Sequence, residues 1–154
     1  MLSKKEVVNQ AKAFAEEGFL CSESVLLALS KALNVKSGII PRIATGFGAG
    51  IGRHGEICGA LTGAIMGLGI KFGRNHPSET PEGQPAYAYS QTMVNLFLAH
   101  FGHIRCKDLL GLDISSEDGV TEYRQQKLWE TKCQDLIQIT TGLAYDVLEA
   151  NTSD

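Results

Sequence analysis

Apolar positions in the first part of the chain repeat at intervals of three and four residues. Ser3 and Glu6 have the spacing of a capping box, and the apolar period that follows predicts a helix over 4–17. A second set with the same period predicts a helix over 22–33 that opens at Cys21. The chain therefore starts with two amphipathic helices.

A third segment, residues 56–72, is apolar on all sides, which predicts a central helix. Gly59, Gly63 and Gly67 follow one another at i, i+4 and i+8, so one side of this helix is flat and small. The uninterrupted apolar run, residues 57–70, is 14 residues long, whereas a membrane span needs roughly 20. The segment is therefore predicted to be a core helix.

The second half of the chain continues the helical pattern. Apolar spacing predicts helices over 86–101 and 132–149, the latter capped by Thr131, and a short helical turn over 106–111. Residues 74–84 are polar and rich in turn formers. Alternation with a period of two, the mark of a strand, is missing, so the sequence predicts an all-α bundle of about five to six helices.

Composition and charge narrow the function classes. With 44% hydrophobic residues, 20% charged residues and a net charge of −3, the 154-residue chain resembles an ordinary globular protein, and we expect one domain over 1–154. It lacks a run of Lys and Arg, which argues against nucleic-acid and membrane-surface partners. The charged, amphipathic start has no signal-peptide pattern, so we expect a cytoplasmic protein.

In a reducing compartment, recurrent cysteines favour metal or redox roles over structural disulfides. Cys21, Cys58, Cys106 and Cys133 contain no Cys-x-x-Cys pair, so only the fold can assemble a shared site. Each lies at or near a predicted helix start, where free amides and the helix dipole stabilise a thiolate. The alternative is that each cysteine is simply a small apolar residue packed in the core.

The order and context of these cysteines resemble a known family. An early cysteine opens a helix, a glycine-rich stretch leads into Cys58-Gly59-Ala60-Leu61-Thr62-Gly63, Phe101-Gly102 precedes Cys106, and Cys133 comes late. This arrangement, over about residues 19–147, resembles the C-GCAxxG-C-C family of bacterial and archaeal proteins, to which redox activity is ascribed. The family's name gives Gly-Cys-Ala, whereas this chain has Cys58-Gly59-Ala60, so Cys58 is matched to the central cysteine.

The resemblance implies electron transfer or an iron–sulfur centre, because a related domain is joined to haem-binding segments in some cytochromes. This chain has no Cys-x-x-Cys-His sequence, so covalent haem is not supported. Four thiolates can close an iron–sulfur cluster or a zinc site, which is the favoured hypothesis. Alternatively, cysteine pairs cycle between dithiol and disulfide with no cofactor, or the chain is a metal-free helical interaction module. A redox partner is implied but not identified, and the glycine face could also pair subunits.

Three further residues are candidates for contact with a cofactor. Gly59 and Gly63 are placed to let a group or a neighbouring helix approach the helix that carries Cys58, and packing is the simpler explanation. His103, three residues before Cys106, is a candidate ligand or proton carrier. Tyr123 and Trp129 are expected to be packing residues.

Overall fold

The computed structural model describes residues 1–77 and 85–152, and within these ranges every regular element is helical. In chain order the elements are α1 Lys4–Glu17, α2 Cys21–Ala32, a 3₁₀ helix Arg42–Phe47, α3 Gly59–Phe72, α4 Pro85–Phe101, α5 Cys106–Leu110, α6 Glu117–Gln125, a π-helical turn Trp129–Cys133 and α7 Gln134–Ala150. The predicted all-α class is confirmed. Of the segment predicted to be rich in turns, residues 78–84 lie outside the described residues.

Local capping signals set the ends of α1 as predicted. The Ser3 hydroxyl accepts a hydrogen bond from the Glu6 amide at 3.3 Å, and the Glu6 carboxylate accepts one from the Ser3 amide at 2.7 Å. Gly18 ends the helix in the left-handed region, at φ +108°, which glycine adopts without strain. The two ends of α1 are therefore determined by local hydrogen bonds and by the backbone conformation of Gly18.

Helix α7 is the centre of the bundle, since it packs against α1, α2, α3 and α4. Its core-facing side is buried from Leu136 to Leu148 and meets the apolar faces of those helices. None of the helices in the described ranges combines the length and the apolar character of a membrane span. The short helix α5, the helix α6 and the π-helical turn follow one another between α4 and α7.

Helices α2 and α3 approach each other along the predicted glycine face. A Cβ added at Gly63 would lie 2.6 Å from the Ser22 carbonyl oxygen, and one added at Gly67 would overlap the Leu29 side chain. The stripe of small residues therefore brings the two backbones into contact, which side chains of ordinary size would prevent.

Two helix starts differ from the prediction by two residues or more. Helix α3 begins at Gly59 instead of residue 56, because Glu56 and Cys58 hydrogen-bond to the backbone of residues 104–106. Thr131 does not cap the last helix: its hydroxyl donates to the Lys127 carbonyl at 2.9 Å, and the π-helical turn runs directly into α7. In both places a tertiary or helical backbone hydrogen bond replaces the local signal.

We expect Gly63→Ala to destabilise the fold by roughly 1–3 kcal/mol, because the new Cβ would be forced against the backbone of α2. Gly69→Ala in the same helix is the matched control, since no atom lies within 4 Å of its added Cβ. There, the gain in helix propensity should stabilise the protein by about 0.5–1 kcal/mol. Urea unfolding of the two variants measures both effects, and equal midpoints would contradict the close approach.

Candidate functional site

All four cysteines line one cavity, with a volume of about 300 Å³. Cys21 is the first residue of α2, Cys58 immediately precedes α3, Cys106 is the first residue of α5 and Cys133 ends the π-helical turn. They are separated by up to 112 positions in the sequence, from 21 to 133, and all four are free thiols. The fold therefore assembles the shared sulfur site that local spacing could not specify.

Backbone amides near the sulfur of Cys21 offset part of the effect of its burial. Burial is the largest cause and raises the pKa of this thiol, whereas the N–H groups of Ala49, Ser22, Cys21 and Gly59 act to lower it. A Cβ at Gly59 would overlap Sγ, so the glycine leaves the space that the sulfur occupies. Gly59, predicted to be a cofactor contact, thus lies in the cavity wall and shapes the environment of Cys21.

The Ala49 amide is presented by a loop of unusual backbone conformation. Residues 49–53 all have positive φ, from 54° at Ala49 to 69° at Arg53, although three of the five are not glycine. Such a run is disfavoured for L-residues and is typical of functional sites whose surroundings impose the strain. A Cβ at Gly50 would lie 2.8 Å from the Cys106 Cβ, so this loop also packs against a second cysteine.

Cys58 and Cys106 are held together by a short antiparallel bridge. The Cys58 amide donates to the Ile104 carbonyl at 2.8 Å, and the Cys106 amide donates to the Glu56 carbonyl at 2.6 Å. The Arg105 guanidinium makes two hydrogen bonds to the Glu56 carboxylate, at 3.0 and 3.2 Å, and these lower the pKa of that carboxyl. Both side chains are partly exposed, so this ion pair contributes little to stability. Its role is to align the two backbone segments of the bridge.

Cys133 has a side-chain partner that sequence reasoning did not find. The Tyr123 hydroxyl lies 3.4 Å from Cys133 Sγ, and both Tyr123 and Trp129 line the cavity. Cys133 is also inside a continuous helical segment, so the helix-start environment predicted for it is wrong. The sequence shows only a tyrosine ten residues before a cysteine, and this spacing does not predict a contact. The turn between α6 and the π-helical turn brings the two side chains together.

Burial raises the pKa of every cysteine in the cavity. Loss of hydration is the largest cause in each case, and it raises the pKa of Cys106 to about 12 and that of Cys133 to about 11. Repulsion from neighbouring sulfurs adds to it: Cys21 and Cys106 raise the pKa of Cys58, which lies well above its ordinary value. The predicted stabilisation of thiolates by helix starts is therefore outweighed by desolvation.

The remaining candidates lie elsewhere. His103 is exposed and faces a shallow depression on the outside of α5, near Lys107 and Asp113, and does not line the cysteine cavity. Gly63 contacts the backbone of Ser22 and serves the packing of α2 and α3. Across the part of the chain that the structure describes, His, Cys, Asp and Glu side chains form no group of three that could hold a metal ion.

Comparison with known families identifies the family to which this arrangement of cysteines belongs. Residues 19–147 match the model of the family described as "Putative redox-active protein (C_GCAxxG_C_C)". The chain belongs to the C_GCAxxG_C_C family. The matched range includes all four cysteines and the loop and tyrosine that surround them. No curated protein and no solved structure gives a significant match to this C_GCAxxG_C_C chain.

We expect alkylation of the reduced, metal-free protein by iodoacetamide to be slow at neutral pH and to accelerate without a plateau between pH 7 and 10. Only the thiolate reacts, and the pKa values of Cys133 and Cys106 are about 11 and about 12. Unfolded thiols ionise near pH 8.5, so the free energy of unfolding should also fall as the pH rises above that value. Protein unfolded in urea is the control, and a native plateau below pH 8 would contradict the burial argument.

Tyr123→Phe should raise the pKa of Cys133, because it removes the hydrogen bond with the tyrosine hydroxyl that lowers this pKa. Alkylation of Cys133 should then slow by roughly tenfold or more at a given pH, since a hydrogen bond to a charged acceptor contributes about 1.5–3 kcal/mol, and peptide mass spectrometry measures the rate site by site. Tyr87→Phe, at an exposed position on α4, is the matched control and should leave the profile unchanged. An unaltered Cys133 profile in Tyr123→Phe would rule out the contact as a stabiliser of the thiolate.

Proposed function

We propose that Cys21, Cys58, Cys106 and Cys133 ligate an iron–sulfur cluster, or a related metal centre, used for electron transfer. The observation that carries the proposal is the meeting of four sequence-remote thiols in one cavity of about 300 Å³. If the cysteines were only small core residues, their burial at four separate places would serve equally well. Membership of a family described as redox-active points to the same sulfur atoms.

The chemistry of the donor set fits a soft metal. Among the described residues, the cavity lining contains four cysteine sulfurs and neither a carboxylate nor a histidine. Thiolates alone are the ligands of two-iron and four-iron clusters, and they also form Cys₄ zinc sites. In the described part of the chain, no three His, Cys, Asp or Glu side chains form a group that could hold a metal ion, so the proposal rests on the cavity that the four cysteines share.

Electrostatics supports the same assignment. Burial and mutual repulsion raise the pKa of the thiols, and a bound cation relieves both effects because it replaces the protons and neutralises the sulfurs. The amides around Cys21, and those of Ala60 and Leu61 at Cys58, provide donors to thiolate ligands. Donors of this kind shift the potential of a cluster.

The protein limits the access of water to the proposed centre and fixes the positions of its cysteine ligands. An iron–sulfur cluster, when bound, supplies reversible one-electron transfer. The backbone bridge fixes Cys58 relative to Cys106, and Tyr123 holds Cys133. Apolar side chains such as Leu109 and Ile114 complete the wall and limit the access of water to the sulfurs.

Thiol–disulfide exchange is the second candidate, favoured by the free state and the partial exposure of Cys21 and Cys133. In this reaction two thiols of the cavity lose two electrons and two protons to a disulfide of a partner protein. A disulfide forms in the cavity, and the partner's disulfide is reduced to two thiols. The raised pKa values slow the first attack, which is why the metal centre ranks first.

Anaerobically purified protein should contain iron and acid-labile sulfide, together with visible absorption that bleaches on reduction. Cys58→Ser should remove most of the iron, because it deletes one of four ligands. Leu68→Ala is the control for general destabilisation, since Leu68 is fully buried in α3, the helix that Cys58 precedes, but does not line the cavity. It should retain the iron while lowering the free energy of unfolding by about 2–5 kcal/mol.

Equal iron content in the wild-type protein and Cys58→Ser would contradict the ligand assignment. If the protein binds no metal but loses free thiols reversibly under oxidant, and mass spectrometry finds a disulfide between two of the four cysteines, exchange replaces the metal centre as the function.

A further inference from the structure

Apolar side chains make up much of the wall of the cysteine cavity. Besides the cysteines it is lined by aliphatic and aromatic side chains from α5, α6, α7 and the segments that precede and connect the helices, among them Phe19, Leu110, Val120, Trp129 and Leu136. Its volume of about 300 Å³ lies at the lower end of the range for small-molecule sites, which is roughly 300–1,000 Å³. The cavity therefore has the wall of a ligand pocket, and a small ligand there would share the volume with the sulfur centre.

The charged side chains that line the pocket are positive. Arg53 from the loop 49–53 and Arg124 from α6 line it, whereas the part of the lining that belongs to described residues contains no aspartate or glutamate. Both arginines are exposed, and neither guanidinium forms an ion pair or a hydrogen bond within residues 1–77 and 85–152. In a chain with a net charge of −3, two unpaired cations at one apolar pocket select for an anion.

We propose that this pocket binds a small organic anion with an apolar body, beside the sulfur centre. The inference builds on the redox role proposed above, for which it names the class of ligand. Arg53 and Arg124 pair with a carboxylate or sulfonate, since a guanidinium forms paired hydrogen bonds with such groups. The apolar body lies against Phe19 and Trp129, where its transfer from water is favourable.

Trp129 makes the proposal directly measurable, because it is the only tryptophan of the chain and it lines the pocket. The probe is 8-anilinonaphthalene-1-sulfonate, and its neutral counterpart is N-phenyl-1-naphthylamine, which has the same body without the sulfonate. Full-length, anaerobically purified protein should bind the sulfonate with energy transfer from Trp129. Arg53→Gln and Arg124→Gln should each weaken its binding about fivefold, as loss of about 1 kcal/mol requires, and leave binding of the amine unchanged.

Arg42→Gln is the matched control, since Arg42 is exposed on the 3₁₀ helix and does not line the pocket. It should bind both probes as the wild-type protein does. Absence of binding, binding without energy transfer from Trp129, or equal affinity of the Arg53→Gln/Arg124→Gln double variant for the sulfonate would each overturn the proposal. In the last case the arginines would serve only to offset the charge of the sulfur centre.

Failure of this proposal can be distinguished from failure of the metal assignment. Iron that depends on Cys58, in a protein that does not bind the sulfonate, would leave the redox centre in place and remove the ligand. Arginine-dependent binding to a protein without metal would support the pocket and leave thiol exchange as its chemistry.

Discussion

The close contact between α2 and α3 is the constraint on which the site depends. At Gly63 the backbones are near enough to exclude a Cβ, and one turn earlier Gly59 leaves the volume that the sulfur of Cys21 fills. The starts of the two helices therefore lie side by side, and Cys21 and Cys58 reach the cavity from neighbouring positions. A single stripe of small residues thus serves the core at one end and the sulfur chemistry at the other.

Burial and backbone donors act on the thiols in opposite directions, and burial is the stronger. Amides lower the pKa of Cys21 and Cys58, yet both remain above their ordinary values because water is excluded. Burial and the neighbouring sulfurs raise the pKa of Cys106, and at Cys133 the hydrogen bond with Tyr123 lowers the pKa against the effect of burial. These surroundings therefore favour the neutral thiol over the thiolate. Chemistry that removes the protons as it neutralises the sulfurs, by metal ligation or by disulfide formation, suits these surroundings.

Much of the fold follows from local patterns, whereas the site does not. Ser3 and Gly18 define α1 because capping is decided within one turn of helix. The bridge that aligns Cys58 with Cys106 joins segments almost fifty residues apart, and no periodicity encodes that pairing. Likewise, a helix start predicts a lowered thiol pKa only while the thiol is hydrated. The sign of the shift was therefore decided by tertiary burial, which the sequence pattern does not specify.

The loop of residues 49–53, in which every φ angle is positive, has glycine at some positions and larger residues at others. Glycine occupies position 50, where the backbone lies against Cys106, while position 53 keeps an arginine that lines the pocket. An all-glycine loop would have less strain but would lose more entropy on ordering, and it would lose that cation. Hydrogen bonds from the Gly52 amide to the Gly46 carbonyl and from the Glu56 amide to the Gly50 carbonyl, both 2.9 Å, hold the strained conformation. The strain is therefore maintained by backbone bonds on both sides of the loop, which keep the Ala49 amide against the sulfur of Cys21.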